Sequence, residues 1–376
     1  MPSSSRQDPH RSGDRTLTLR GPDWVVASLS HLLGFHPHDS IVALWVGGGE
    51  VRLVQRIDLP TTTAPRSGDV AAVRGAVLHS IGLTGADSVV LCVVGDRGSD
   101  PGLPGGALIA DLCRAVQGSG CTVLDALLVE QGTDSAIRWW SYLCERSCCP
   151  PEGRCVPDEV TTTVGAEFAW EGVAVQPSRD AVAAEFVGDA ERRAAVAAYL
   201  DEAPWDAIPE DLEEWRDHAI ADLQDLLGLG DAESTDGSAD HDSANPDGVS
   251  PWRAAAALRA LGDVRVRDTV LWHLVRAPSR RRSLTAATAL LRAAPEGSIA
   301  PIATCTAIAA WVSGDGVRAR FAVERALDDR PGYGLASLLD SALDAGMSGS
   351  DWRAAMASLT EAQCRGRVEV HDAAGL

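Results

Sequence analysis

The chain has 376 residues, 45% of them hydrophobic, and a net charge of −20. All 33 basic residues are arginine, which excludes the usual forms of mechanisms that need a lysine amine: phosphate-loop NTPases, protein kinases, and Schiff-base or pyridoxal enzymes. The acidity argues against nucleic acid as a partner, and no window approaches the roughly 18 uninterrupted apolar residues of a membrane helix.

Residues 1–15 are polar and lack an apolar secretory region, so a disordered start and a cytoplasmic location are expected. Trp24, Ala27, Leu29, Leu32 and Leu33 recur at helical spacing, with Asp23 as the expected N-cap and Gly34 as the stop. Ser40–Val46 and Glu50–Leu59 flank Gly47-Gly48-Gly49 and predict a β-hairpin. Val70–Ile81 and Ala107–Val116 predict helices. Ser88–Val94 is a continuous apolar run, as expected of a strand buried on both faces. Cys121–Val129 and Ile137–Leu143 add two strand candidates. This order predicts a mixed-sheet α/β or α+β domain over 16–186.

The strand signals stop near Glu159. Helical patterns over Val160–Trp170, Arg179–Phe186, Asp189–Leu200 and Asp211–Leu227 follow, the last three bordering or forming a helical extension over 187–229. Between Asp201 and Asp247 lie sixteen acidic residues and one basic residue, Arg216. The part over 230–249 is poor in hydrophobes and is expected to be an acidic linker. An all-α domain is predicted over 250–360, before a tail over 361–376. Its Ala319, Ala326 and Pro331 resemble the second helix of a tetratricopeptide unit, but no second copy occurs at the right period, so a generic helical hairpin is expected. From Trp252 to Arg282 there are eight arginines and two aspartates, a run suited to nucleic acid, to an anionic partner or to the acidic stretch of the same chain, the last two being favoured by the net charge.

Arg138–Cys155 is the densest segment. Cys144, Cys148, Cys149 and Cys155 crowd into it, four of the nine cysteines. Three chemistries fit: a zinc site, which wants four nitrogen or sulfur ligands, a thiol redox switch, or small apolar residues in a turn closed by Pro150-Pro151. The spacing is not the repeated C-x2-C of common zinc sites. A histidine from Gly34-Phe35-His36-Pro37-His38-Asp39 is available as the fourth ligand. Strand alternation puts Arg138, Trp140 and Tyr142 on one face, either as a stacking surface for a ligand or as core aromatics beside an arginine paired to Asp125 or Glu130. His36, Asp39 and Ser40 lie too close in sequence for a hydrolytic triad, and no G-x-S-x-G elbow occurs, so Asp39-Ser40 is expected to make a turn. The glycine-rich stretches at Gly47–Gly49 and Gly102–Gly106 lack the dinucleotide-binding spacing and are expected to be turns.

The pieces LRGPDW, HLLGFHPHDSIV, RIDLP, LDALLV, RWWSYLC…CCPPEG and WVSGDGVRARFAVERALDDRPGYGLASLLDSAL together resemble the actinobacterial family known as domain of unknown function 4192. The resemblance runs from Leu17 to about Leu343. It implies an actinobacterial, cytoplasmic origin and carries no activity with it. The family pattern has cysteines matching Cys144, Cys148 and Cys149 and none matching Cys155, which implies a Cys144, Cys148, Cys149 and His36 set for zinc. The expectation is a non-enzymatic binding or regulatory protein whose helical part engages a protein partner. The alternative is a metal- or thiol-dependent, hydrolase-like enzyme centred on the cysteines and His36.

Overall fold

A computed structural model of the chain describes residues 17–59, 67–99, 102–131, 136–144, 149–170, 174–202, 211–230, 249–277 and 280–366. The segment expected to be disordered, 1–15, and nearly all of the acidic linker lie outside the described residues.

Helix α1 (Pro22–Leu33) begins with Pro22 in its first turn, where a missing N–H costs nothing, and ends at Gly34, whose φ of 75° is the left-handed cap that glycine favours. The expected N-cap is corrected here. Gly21 occupies that place, and Asp23 instead accepts a hydrogen bond from Trp139 Nε1 at 2.7 Å. Strands β1 (Ser40–Gly47) and β2 (Glu50–Asp58) form the expected hairpin, closed by Gly48 and Gly49 at φ 62° and 83°. Two positive angles in a two-residue link match the right-handed strand twist. The register slips between Trp45 and Val46, so Leu53 and Ile57 pack on the core while Val51 is exposed.

Helix α2 (Ser67–Thr84) leads to β3 (Ser88–Val94), buried along its whole length, and α3 (Gly106–Gly118) leads to β4 (Thr122–Gln131). Strand β5 (Ile137–Ser141) is shorter than predicted, and a two-residue β6 (Arg154–Cys155) completes a six-stranded sheet of order β2-β1-β3-β4-β5-β6. The β3–β4 pair is parallel and the other pairs are antiparallel, giving the expected mixed sheet.

Alternation sends Ile41, Ala43, Trp45, Leu91, Leu128 and Trp140 to a core shared with α2 and α3. Val42, Leu44, Cys92, Leu127 and Trp139 point to the opposite face, against α1. Helix α4 (Asp158–Trp170) packs on α1, and α5 (Arg179–Ala184) and α6 (Ala190–Glu202) follow. The core on this second face continues without interruption through Val182 and Phe186 into the helical part.

That part comprises α7 (Leu212–Leu226), α8 (Pro251–Ala260), α9 (Val264–Arg276), α10 (Arg280–Ala293), α11 (Ile299–Val312), α12 (Gly316–Asp329), α13 (Gly334–Asp344), α14 (Gly349–Ala355) and α15 (Glu361–Cys364). Every residue of α11 is buried, so it is apolar all round because its neighbours surround it. No described helix is long and apolar enough to cross a membrane. The acidic α7 is held by arginines: Arg253 pairs with Asp225 at 2.5 Å, Arg265 with Glu213 at 3.2 Å, and Arg216 reaches Asp263 at 2.8 Å. Part of the arginine-rich window thus docks acidic residues of its own chain.

Candidate functional site

The carboxyl ends of β3 and β4 lie side by side and form one edge of the sheet. The turn His36-Pro37-His38-Asp39 enters β1 at this edge, because β1 runs antiparallel to β3 and Ser40 pairs with Val94. The backbone of the turn is pinned on several sides. His36 N–H donates to Gln176 O at 3.0 Å, and Gln176 N–H donates to Gly34 O at 2.8 Å. Leu59 N–H donates to Asp39 O at 2.9 Å, and Arg56 Nη2 donates to His38 O at 3.3 Å. Asp39 has φ 42°, the one positive value of a non-glycine among the described residues, and its Oδ1 lies 3.7 Å from where a Cβ on Gly95 would stand. Left-handed backbone costs roughly 1 kcal/mol, least for Asp and Asn.

The His36, His38 and Asp39 side chains are exposed on this rigid turn. Ser30 Oγ sits 3.0 Å from His36 Nδ1, and Gln131 Nε2 approaches the same nitrogen at 3.5 Å. Both contacts converge on Nδ1, so one ring nitrogen is held by the fold. Partial desolvation against the fold and then the neighbouring His38 lower the His36 pKa from its ordinary 6.5. His31, stacked on Phe168 at 4.9 Å, is shifted the same way by burial and by His36. Ser40 Oγ lies buried beneath the turn with no partner among the described residues. Asp39 is a bend, and Ser40, expected to share that turn, is already the first residue of β1.

A second network ties this edge to the helical part. Glu185 accepts from Gln176 Nε2 at 2.5 Å and from Arg318 at 2.7 and 2.8 Å, in a bidentate pair, while Arg318 Nη1 reaches Asp315 at 2.6 Å. That guanidinium lies near Gly34: a Cβ there would stand 3.4 Å from Arg318 Nη1, an ordinary contact. Sequence reading missed Ser30, Gln176, Glu185 and Arg318. Each acts across a fold contact, and no local spacing announces it.

The aromatic and thiol residues are placed elsewhere. Trp140 is 5% exposed and donates Nε1–H to Pro151 O at 3.2 Å, with Arg97 5.9 Å from its ring centroid. Tyr142, just past β5, packs on the same core and donates to Pro104 O at 2.6 Å. Its pKa is raised, chiefly by burial. Trp140 is a core residue and Tyr142 a partly buried one packed against that core, each with its polar atom bonded. Arg138 stands opposite Glu130 in one ladder and Cys155 in the other. Asp125 takes Ser141 instead, at 2.8 Å.

Cys144 and Cys149 are half-buried, Cys149 packing on both cores, and Cys148 lies outside the described residues. The structure does not bring His36 to Cys144. His36 adjoins Gln131, whereas β5 passes Ala126 before reaching Cys144. Five strand residues, roughly 16 Å at 3.3 Å each, separate those two points. Two ligands of one zinc ion lie within about 4.6 Å of each other, twice the longest zinc–ligand bond. Among the described residues no three of His, Cys, Asp or Glu come together as a metal group.

Residues 22–350 match a family described as domain of unknown function (DUF4192). The chain belongs to this family. The match takes in both the pinned turn and Arg318. No curated protein and no solved structure matches the chain.

Proposed function

We propose that this protein is a cytoplasmic binding or regulatory protein and not an enzyme. It holds a small polar molecule at the carboxyl edge of the sheet, and its helical part serves as the half that partners engage. One observation carries the reading: a backbone fixed by four hydrogen bonds presents two histidines and Asp39 to solvent, with His36 Nδ1 held by Ser30 and Gln131. Fixing exposed polar groups has no packing benefit, and preorganised donors and acceptors are what specific binding of a small ligand requires. The free cysteines among the described residues fit a reducing compartment.

The test is an NMR titration that follows the histidine ring C–H signals against inorganic phosphate, citrate, glucose, adenosine and zinc chloride. The reading expects at least one organic compound to move the His36 and His38 signals and to survive a day unchanged. Conversion of that compound would replace the reading with the enzyme alternative. Zinc alone moving these signals while protecting cysteines from thiol reagents would replace it with a metal site. No movement by any compound would sink it.

A further inference from the structure

We propose that the helical part contains a second binding site, for a small organic anion, in a cavity between α8, α9, α11 and the turn before α13. The cavity measures about 380 Å³. Arg259, Arg267 and Arg330 line it, and none of its lining residues is acidic. In a chain of net charge −20, a concavity whose lining carries three arginines and no carboxylate runs against the composition of the whole, although Asp268 offsets the charge of Arg267. Such a concavity focuses its field on an incoming anion.

The arginines are held in place. Arg267 Nη1 donates to the Tyr333 hydroxyl at 2.7 Å, and its Nε and Nη2 donate to Asp268 at 2.9 and 2.6 Å. Arg330 Nη2 donates to Gly297 O at 3.0 Å. The two guanidinium carbons stand 5.7 Å and 5.5 Å from the centroid of the same Tyr333 ring. A guanidinium has five N–H groups in a planar fork, so each keeps donors beyond these bonds, in the geometry that phosphate and carboxylate oxygens accept. Of the carboxylates beside the lining, Asp268 is engaged by Arg267, Asp263 by Arg216, and Asp329 by the backbone N–H groups of Gly297 and Ala300.

The rest of the lining sets the ligand's body. Leu258 and Pro301 are buried apolar walls, and Tyr333 offers an aromatic surface. A cavity of this volume falls at the small end of organic-ligand sites and is several times larger than a bare phosphate needs. The shared chemistry is therefore an anionic head on a compact apolar or aromatic body, the head being phosphate or carboxylate. This site is independent of the sheet edge and stands whether or not that edge binds anything.

Calorimetry on the full chain at low salt tests the proposal, with phenyl phosphate, benzoate, inorganic phosphate and phenol as probes. Phenyl phosphate or benzoate is expected to bind at one site per chain, at least tenfold tighter than inorganic phosphate, with phenol showing no binding. Whichever of the two binds tighter identifies the head group. Arg330→Gln should weaken that binding at least tenfold, and Arg330→Lys should restore part of it. The exposed place of Arg330 makes this variant tolerable to the fold, and an unchanged melting curve verifies that. Hydrogen exchange should slow over 258–267 and 330–334 on binding. Equal binding by phenol, binding unchanged in Arg330→Gln, protection confined to other segments, or no binding of any anion at 10 mM (on the order of the weakest useful affinity) would each overturn it.

Discussion

The two faces of the sheet are closed by material from different places. One face is covered by α2 and α3, the helices that connect its own strands. The other is covered by α1 and continues into the helical part, so its core includes residues from Val25 to Trp352. The adjacent Trp139 and Trp140 show the difference in one dipeptide. Trp140 is capped locally, by the turn that carries Pro151 and Gly153. Trp139 is tied to Asp23, 116 residues away in sequence. The first face is a local construction. The second depends on long-range contacts, and the candidate ligand edge lies beside it, joined to the helical part through Gln176, Glu185 and Arg318. A ligand at that edge and a partner on the helices would therefore act on connected elements.

The largest predicted effect falls on the local face. Gly153 has φ 81°, and a Cβ there would lie 2.5 Å from the Trp140 ring. The ring is buried and hydrogen-bonded and has no room to retreat. Gly153→Ala combines backbone strain with overpacking and should cost about 3 kcal/mol, read as a lower urea midpoint with an unchanged slope. If the faces are built as described, the extra hydrogen exchange appears first in β5 and α3 and spares α1.

A smaller effect is expected on the other face. Asp23→Ala leaves the Trp139 indole N–H buried without its partner, at a cost of about 1–2 kcal/mol. Exchange should then rise in α1 and α4 while α2 and α3 stay protected. Loss spread evenly over both faces in these two variants would erase the distinction between them.

Much of this architecture is legible in the sequence. Period-two alternation and unbroken apolar runs locate β1 to β5, and Gly48-Gly49 and Gly34 mark the turn and the cap, because backbone conformation leaves local traces. The site was legible only in part. His36 and Asp39 stand out as polar residues in a compact motif, but their supports do not. Ser30 lies on the preceding helix, Gln176 comes far later, and Arg318 is one arginine among 33. The cysteine cluster drew attention by density alone, and density along the chain does not measure distance in space. Nor did the sequence distinguish Arg330 and Arg267 from surface arginines; only the fold sets them around Tyr333.

The smallest predicted effect concerns the edge where the two faces meet. His31 and His36 both have pKa values lowered from 6.5, first by burial. In the unfolded chain these rings take up protons near pH 6.5, while in the folded chain they do so only at lower pH. The unfolded state therefore binds more protons between the two values, and stability must fall as pH drops through that window. Full stability is expected above about pH 7, with the melting temperature falling as pH drops toward 5.5. The carboxylates stay largely ionised over this range and contribute little to the change. Comparing wild type with His36→Gln at pH 7.5 and 5.5 isolates the contribution. The variant should lose less on acidification, and an identical loss would mean that His36 is as solvated in the folded chain as in the unfolded one, which removes the basis for a preorganised imidazole at the sheet edge.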